Sequence, residues 1–119
     1  MSTRKRYGPA NPLSGRAAAF AALGDVHRLV LVDRLSSGEA MNIARLSEGF
    51  AVSRQAVTKH LRVLADAGLV HARREGREVL YALDLKPFKD NREYLAFVEA
   101  QWDQALARLQ RYVEREGEE

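Results

Sequence analysis

The stretch Ala51-Val52-Ser53-Arg54-Gln55-Ala56-Val57-Thr58-Lys59-His60-Leu61-Arg62-Val63-Leu64 decides the fold. Ser53 is a good N-cap, because its hydroxyl accepts a hydrogen bond from an amide that the first turn of a helix leaves unpaired. From there Val57, Leu61 and Leu64 recur at i, i+4 and i+7, one apolar face of an α-helix. Gln55, Thr58, Lys59 and Arg62 fall on the opposite side. That side carries an amide, a hydroxyl and two cations, with no carboxylate until Asp66 near the helix end. Such groups on a short exposed helix reach base edges and phosphates in a DNA major groove. The plainer reading is a surface helix whose charges are merely solvated, and the neighbouring segments weigh between the two.

Upstream, Asn42 can cap a shorter helix in which Ile43 and Leu46 supply the buried face and Gly49 a left-handed end. Phe50-Ala51-Val52 is then a turn leading into Ser53, the spacing of a helix-turn-helix, with Phe50 and Val52 plugging the angle between the helices. Downstream, Gly68 ends the second helix. Val70-His71-Ala72-Arg73 and Glu78-Val79-Leu80-Tyr81-Ala82-Leu83 read as strands joined by Arg74-Glu75-Gly76-Arg77, a β-hairpin. The fold class is mainly α with a small β-hairpin wing: a winged helix-turn-helix.

The run from Leu23 to Leu83 resembles the ArsR/SmtB family of bacterial winged-helix repressors. The resemblance rests on Leu23-Gly24-Asp25 with Arg28, on Ser53 through Leu64, on Ala67-Gly68-Leu69-Val70, and on the hairpin from Arg73 to Leu83. It covers about half of the chain directly. Where the family has Pro and Thr after the Asp, this chain has Val26 and His27, a change that leaves the reading face untouched.

Charge is distributed in keeping with that resemblance. The chain of 119 residues carries a net charge of only +3. Residues 53–77 hold six cations (Arg54, Lys59, Arg62, Arg73, Arg74, Arg77) against Asp66 and Glu75, whereas residues 84–119 hold nine acids against six bases. The basic footprint therefore falls on the helix and the wing. Arg4-Lys5-Arg6 lies in a flexible basic arm, residues 1–12, able to add phosphate contacts. Residues 13–113 form the winged domain, and 116–119 an acidic tail. No window is apolar enough to span a bilayer. Pro9, Pro12, Gly15 and Arg16 interrupt a signal-peptide pattern, so a cytoplasmic protein with no membrane partner is expected. Zero cysteines exclude disulfides and thiol redox sensing.

Two further helices flank the core. Leu13 to Leu23 and Asp25 to Ser37 are separated by Gly24, with Asp25 capping the second and Leu29, Val32 and Leu35 buried, assisted by Val30 or Leu31. After Pro87, over about residues 91–115, Leu95, Val98, Trp102, Ala105, Leu109 and Tyr112 alternate three and four apart in a heptad-like seam, widened by Phe97, Leu106 and Val113. Trp and Tyr on such a seam are enriched at subunit interfaces, so a homodimer is expected, and the family's pairing of first and last helices implies the same. The alternative is intramolecular packing on the N-terminal helix.

Metal and catalytic chemistry are not expected. The resemblance implies paired cysteines near positions that here hold Met41 and Ile43, and a second ligand set on a last helix that here has no histidine. His27, His60 and His71 sit on separate elements without ligand-like spacing, so no metal or cofactor is predicted. His60 reads as a half-buried structural residue, His27 as a solvated first-turn residue and His71 as a strand residue. Ser53, His60 and Asp66 lie on one helix, and seven residues separate the first two by about 10 Å, too far for a triad.

The sequence thus predicts a homodimeric repressor on an inverted-repeat operator in double-stranded DNA. Gln55, Thr58, Lys59 and Arg62 face the bases, Ser53 and Arg54 sit near phosphate, and Arg73, Arg74 and Arg77 grip the backbone from the wing. The rival is a winged-helix protein–protein interaction module with an incidental basic face. The inducer is left open between a small organic ligand in the dimer cleft, a partner protein and simple dilution by autoregulation.

Overall fold

A computed structural model describes residues 12–117; the basic cluster Arg4-Lys5-Arg6 and the end of the acidic tail lie outside them. The element order is α1 (Pro12–Leu23), α2 (Val26–Leu35), α3 (Ile43–Leu46), α4 (Arg54–Asp66), β1 (Val70–Glu75), β2 (Glu78–Leu83) and α5 (Leu85–Gly117). Two compact units divide this chain near Pro87.

In the first unit, each of α2, α3 and α4 opens where its sequence supplies a cap. The Asp25 carboxylate accepts from the amides of His27 and Arg28 at 2.8 and 3.2 Å. Asn42 Oδ1 accepts from Arg45 N at 2.9 Å, and Ser53 Oγ from Ala56 N at 3.1 Å. These bonds satisfy amides that an uncapped first turn would leave to solvent. The core gathers Ala19 and Ala22 of α1, Leu31 and Leu35 of α2, Leu46 of α3, Val57, Leu61 and Leu64 of α4, and Leu69 and Val70 at the hairpin base.

Helix α2 is rotated from its expected setting. Leu31 and Leu35 are buried, whereas Leu29 is 50% exposed and Val32 only half-buried. At 3.6 residues per turn Leu29 lies about 160° from Leu31, so the two cannot share a face. In a run as apolar as Leu29-Val30-Leu31-Val32, hydrophobicity alone does not select the inward side.

The hairpin pairs Val70 with Leu83 through Glu75 with Glu78, so β1 runs two residues beyond its expected end and only Gly76-Arg77 form the turn. Gly76 takes φ 66° and no non-glycine residue among those described has positive φ, the pattern of a type II′ turn, which matches the twist of a two-residue hairpin. A further rung was not legible in the sequence. Met41 N donates to Tyr81 O at 2.9 Å and Tyr81 N to Met41 O at 2.8 Å, a one-residue third strand beside β2. A single residue leaves no alternation to read.

The second unit is the body of α5. The helix begins at Leu85, earlier than the seam spacing implied, because Pro87 falls in its first turn, where a missing N–H costs no helix bond. None of its residues is buried. Leu95, Val98, Trp102, Leu109 and Tyr112 are all exposed, and Ala105 is half-exposed.

Leu61→Ala should cost about 2–5 kcal/mol of stability, the usual range for truncating a fully buried leucine. Leu29→Ala should cost under about 1 kcal/mol, as expected where the side chain is already largely in water. Urea unfolding midpoints check the pair, and a reversed order would place the wrong face of α2 in the core.

Candidate nucleic-acid interface

Helix α4 is positioned by what it buries. Val57, Leu61 and Leu64 are fully enclosed, which leaves Gln55, Lys59 and Arg62 exposed on the other side, while Arg54 is exposed at the start of the helix. Thr58 is half-buried and its hydroxyl donates to the Arg54 carbonyl at 2.9 Å, so its hydroxyl proton is already engaged. The turn between α3 and α4 is braced as its apolar residues implied. The Arg34 guanidinium lies 4.9 Å over the Phe50 ring while its Nη1 donates to Leu46 O at 2.7 Å. Phe50 is thereby held between α2 and the turn.

The wing places its arginines less simply than the sequence implied. Arg73 stands opposite Leu80 and Arg74 opposite Val79. Successive strand residues point to opposite faces, so these two guanidiniums leave the ribbon on opposite sides. Arg73 shares its face with Glu75, to which its Nε donates at 3.1 Å. An exposed pair of this kind is worth little and yields readily to a stronger anion. Arg77 lies in the turn at the tip. The wing is tied to the helix-turn-helix by Asn42, whose Nδ2 donates to Glu78 Oε1 at 2.7 Å while its Oδ1 caps α3.

Three other arginines of this unit are engaged internally. Arg28 Nε donates to Ala22 O at 2.6 Å, Arg34 is held as described, and Arg45 pairs with Glu39 at 2.6 Å. The Arg45 hydrogen bond and charge keep the Glu39 carboxyl below its usual range, and Glu39 in turn raises Arg45. The side chains of Arg54, Lys59 and Arg62 make no hydrogen bond or ion pair among the described residues, and are the free cations of the helix-turn-helix.

The histidines depart from their sequence reading. His71 is an exposed strand residue as expected, but His27 and His60 are not scattered. The first turn of α2 abuts α4, so their rings lie 5.2 Å apart, and the His27 ring also lies 5.7 Å from that of Phe50, tilted by 45°. Each Nδ1 is 3.9 Å from Asp25 Oδ1. Residues 27 and 60 are distant in sequence, so spacing along the chain carried no sign of this cluster.

A basic helix-turn-helix followed by a basic wing is the architecture of a DNA-binding transcription regulator. A family model described as a helix-turn-helix domain matches residues 23–73. The HTH-type transcriptional regulator YuzN of Bacillus subtilis is 35% identical over 79 residues, covering 61% of this chain and 86% of the relative. An ArsR-like transcriptional regulator from Rhodococcus sp. RHA1 superposes with a TM-score of 0.72 at 31% identity, over 82% of this chain and 92% of that one. A homodimeric winged helix-turn-helix DNA-binding domain from Mycobacterium bovis gives a TM-score of 0.61 at 25% identity, over 89% and 91%. The chain belongs to the ArsR/SmtB family of winged-helix transcriptional regulators. No described helix is long and apolar enough to cross a membrane.

Asp25 generates a pH prediction. The amide of Arg28, with that of His27, holds its carboxyl below the ordinary value of 3.8. A carboxylate so depressed stabilises the fold above its unfolded pKa, and that contribution is lost as pH falls through the folded value. Asp25→Asn keeps a capping oxygen but cannot titrate. Urea unfolding between about pH 5 and pH 2 should therefore show a shallower loss of stability in the variant than in the parent. Equal slopes would mean the cap carries no charge dependence.

Proposed function

We propose that the protein is a homodimeric repressor that occupies an inverted-repeat operator, with α4 in the major groove and the wing along the phosphate backbone. One observation carries the reading: the exposed side of α4 presents Gln55, Lys59 and Arg62 free of internal partners, and no carboxylate precedes Asp66. Gln55 can pair bidentately with adenine, and Lys59 or Arg62 with guanine. Ser53 and Arg54 lie at the helix start, where unpaired amides and a cation favour phosphate. Arg74 and Arg77 of the wing, with Arg73 once released from Glu75, supply backbone contacts.

Dimerisation is supported by α5. Leu95, Val98, Trp102, Leu109 and Tyr112 are all exposed large apolar residues at heptad-like spacing, and the Mycobacterium bovis neighbour is homodimeric. A two-fold dimer reads half-sites whose centres lie about one helical turn, or a multiple of it, apart. Bound over a promoter, it represses by occupancy. Release follows a small organic ligand or a partner protein. In the rival reading, an interaction module with an incidental basic face, no shift of random duplex DNA appears at low salt.

Gln55→Ala should cost about 1–3 kcal/mol on the operator and relax preference at one or two base pairs per half-site. Arg74→Ala should weaken operator and random DNA alike, lowering the salt slope by about one for each phosphate that is no longer neutralised. Binding isotherms at several salt concentrations distinguish these outcomes. If Gln55→Ala left preference intact while Arg74→Ala altered it, the wing would be the reading element.

The combined change Leu95→Gln, Val98→Gln and Trp102→Gln should halve the mass seen in light scattering. An unchanged mass would move the interface away from α5.

A further inference from the structure

We propose that Asp25, His27 and His60 form a binding site for one divalent transition-metal ion of zinc-like character, bridging the first turn of α2 and the middle of α4. One donor atom from each of the three residues lies within 4.8 Å of the others. In a tetrahedral site with bonds of about 2.0–2.2 Å the donors lie about 3.4 Å apart. The two 3.9 Å spans from the Asp25 carboxylate, at Oδ1, to the imidazole Nδ1 atoms exceed that spacing by roughly half an ångström each. Side-chain torsions of half-buried residues accommodate such a shift without moving either helix.

Arg28 Nη1 lies 3.3 Å from His60 Nδ1, and a guanidinium has only donors. In that contact the guanidinium donates and the imidazole nitrogen accepts. The amides of His27 and Arg28 both donate to Asp25 Oδ1, so Oδ2 is the oxygen with lone pairs to spare for an ion while Oδ1 caps the helix. Those amide bonds orient the carboxylate, as outer hydrogen bonds orient the ligands of metal sites generally.

Two imidazole nitrogens and one carboxylate oxygen suit zinc, cobalt or nickel, and not magnesium or calcium, which take oxygen sets. Three protein ligands leave a position for water. Arg28 opposes occupancy, since its guanidinium must leave His60 Nδ1. Its Nε bond to Ala22 O holds the planar guanidinium beside the imidazole, so occupancy has to displace that group. His27 stands where the family pattern has threonine. The site stands whether or not α4 reads DNA, because its test involves the metal alone.

The test is titration of the chelator-stripped chain with zinc chloride, followed by calorimetry and by the ring resonances of the three histidines. One zinc per chain should bind, with the His27 and His60 rings shifting together while His71, exposed on β1, stays unmoved. His27→Thr and Asp25→Asn, both mild to the fold, should each weaken binding about tenfold or more. Arg28→Gln should tighten it. Absence of stoichiometric binding, equal shifts in all three histidines, or full affinity in His27→Thr would each overturn the proposal.

Discussion

The enclosure of Val57, Leu61 and Leu64 is the constraint on which the rest of the first unit depends. Once those three side chains are buried, the rotation of α4 about its axis is settled, and the residues left outward are Gln55, Lys59 and Arg62. Burying three aliphatic side chains is worth several kcal/mol, whereas solvating a few cations on the far side costs almost nothing. The polar face is therefore free to be chosen for its partner. The same burial brings His60 to the margin of the core, where the start of α2 meets it.

Around that helix, local chemistry and packing agree. Asp25, Asn42 and Ser53 each cap the helix they precede, and Asn42 reaches across to Glu78, so the beginning of the helix-turn-helix and the far end of the hairpin are referenced to one residue. The Met41–Tyr81 rung adds backbone pairing at the same place. The angle of the wing relative to α4 is thus held by hydrogen bonds of known partners rather than by the hairpin alone, which as an isolated two-stranded ribbon would be marginal.

Much of this was legible in the sequence, and the exceptions have a common physical origin. The caps, the inward stripe of α4, the hairpin and the outward seam of α5 follow from local rules of spacing and hydrogen bonding. Helix α2 misled because Leu29-Val30-Leu31-Val32 is apolar on every side, so only the tertiary neighbours choose Leu31 and Leu35. The end of β1 was set two residues late by cross-strand pairing, which split Arg73 and Arg74 between the two faces of the ribbon. Met41 joins the sheet through backbone atoms alone. The meeting of His27 with His60 depends on two helices crossing, a fact held in no window of sequence.

The central claim is that α4 and the wing, and not another face of the molecule, meet DNA. Amide chemical-shift mapping of the labelled protein with a random duplex at low salt tests it most directly, because non-specific electrostatic binding needs no knowledge of the operator. The account predicts that the largest perturbations fall on residues 53–62 of α4 and on 73–78 of the wing, and fade as salt rises. Perturbations centred on another surface, or none at low salt, would contradict it.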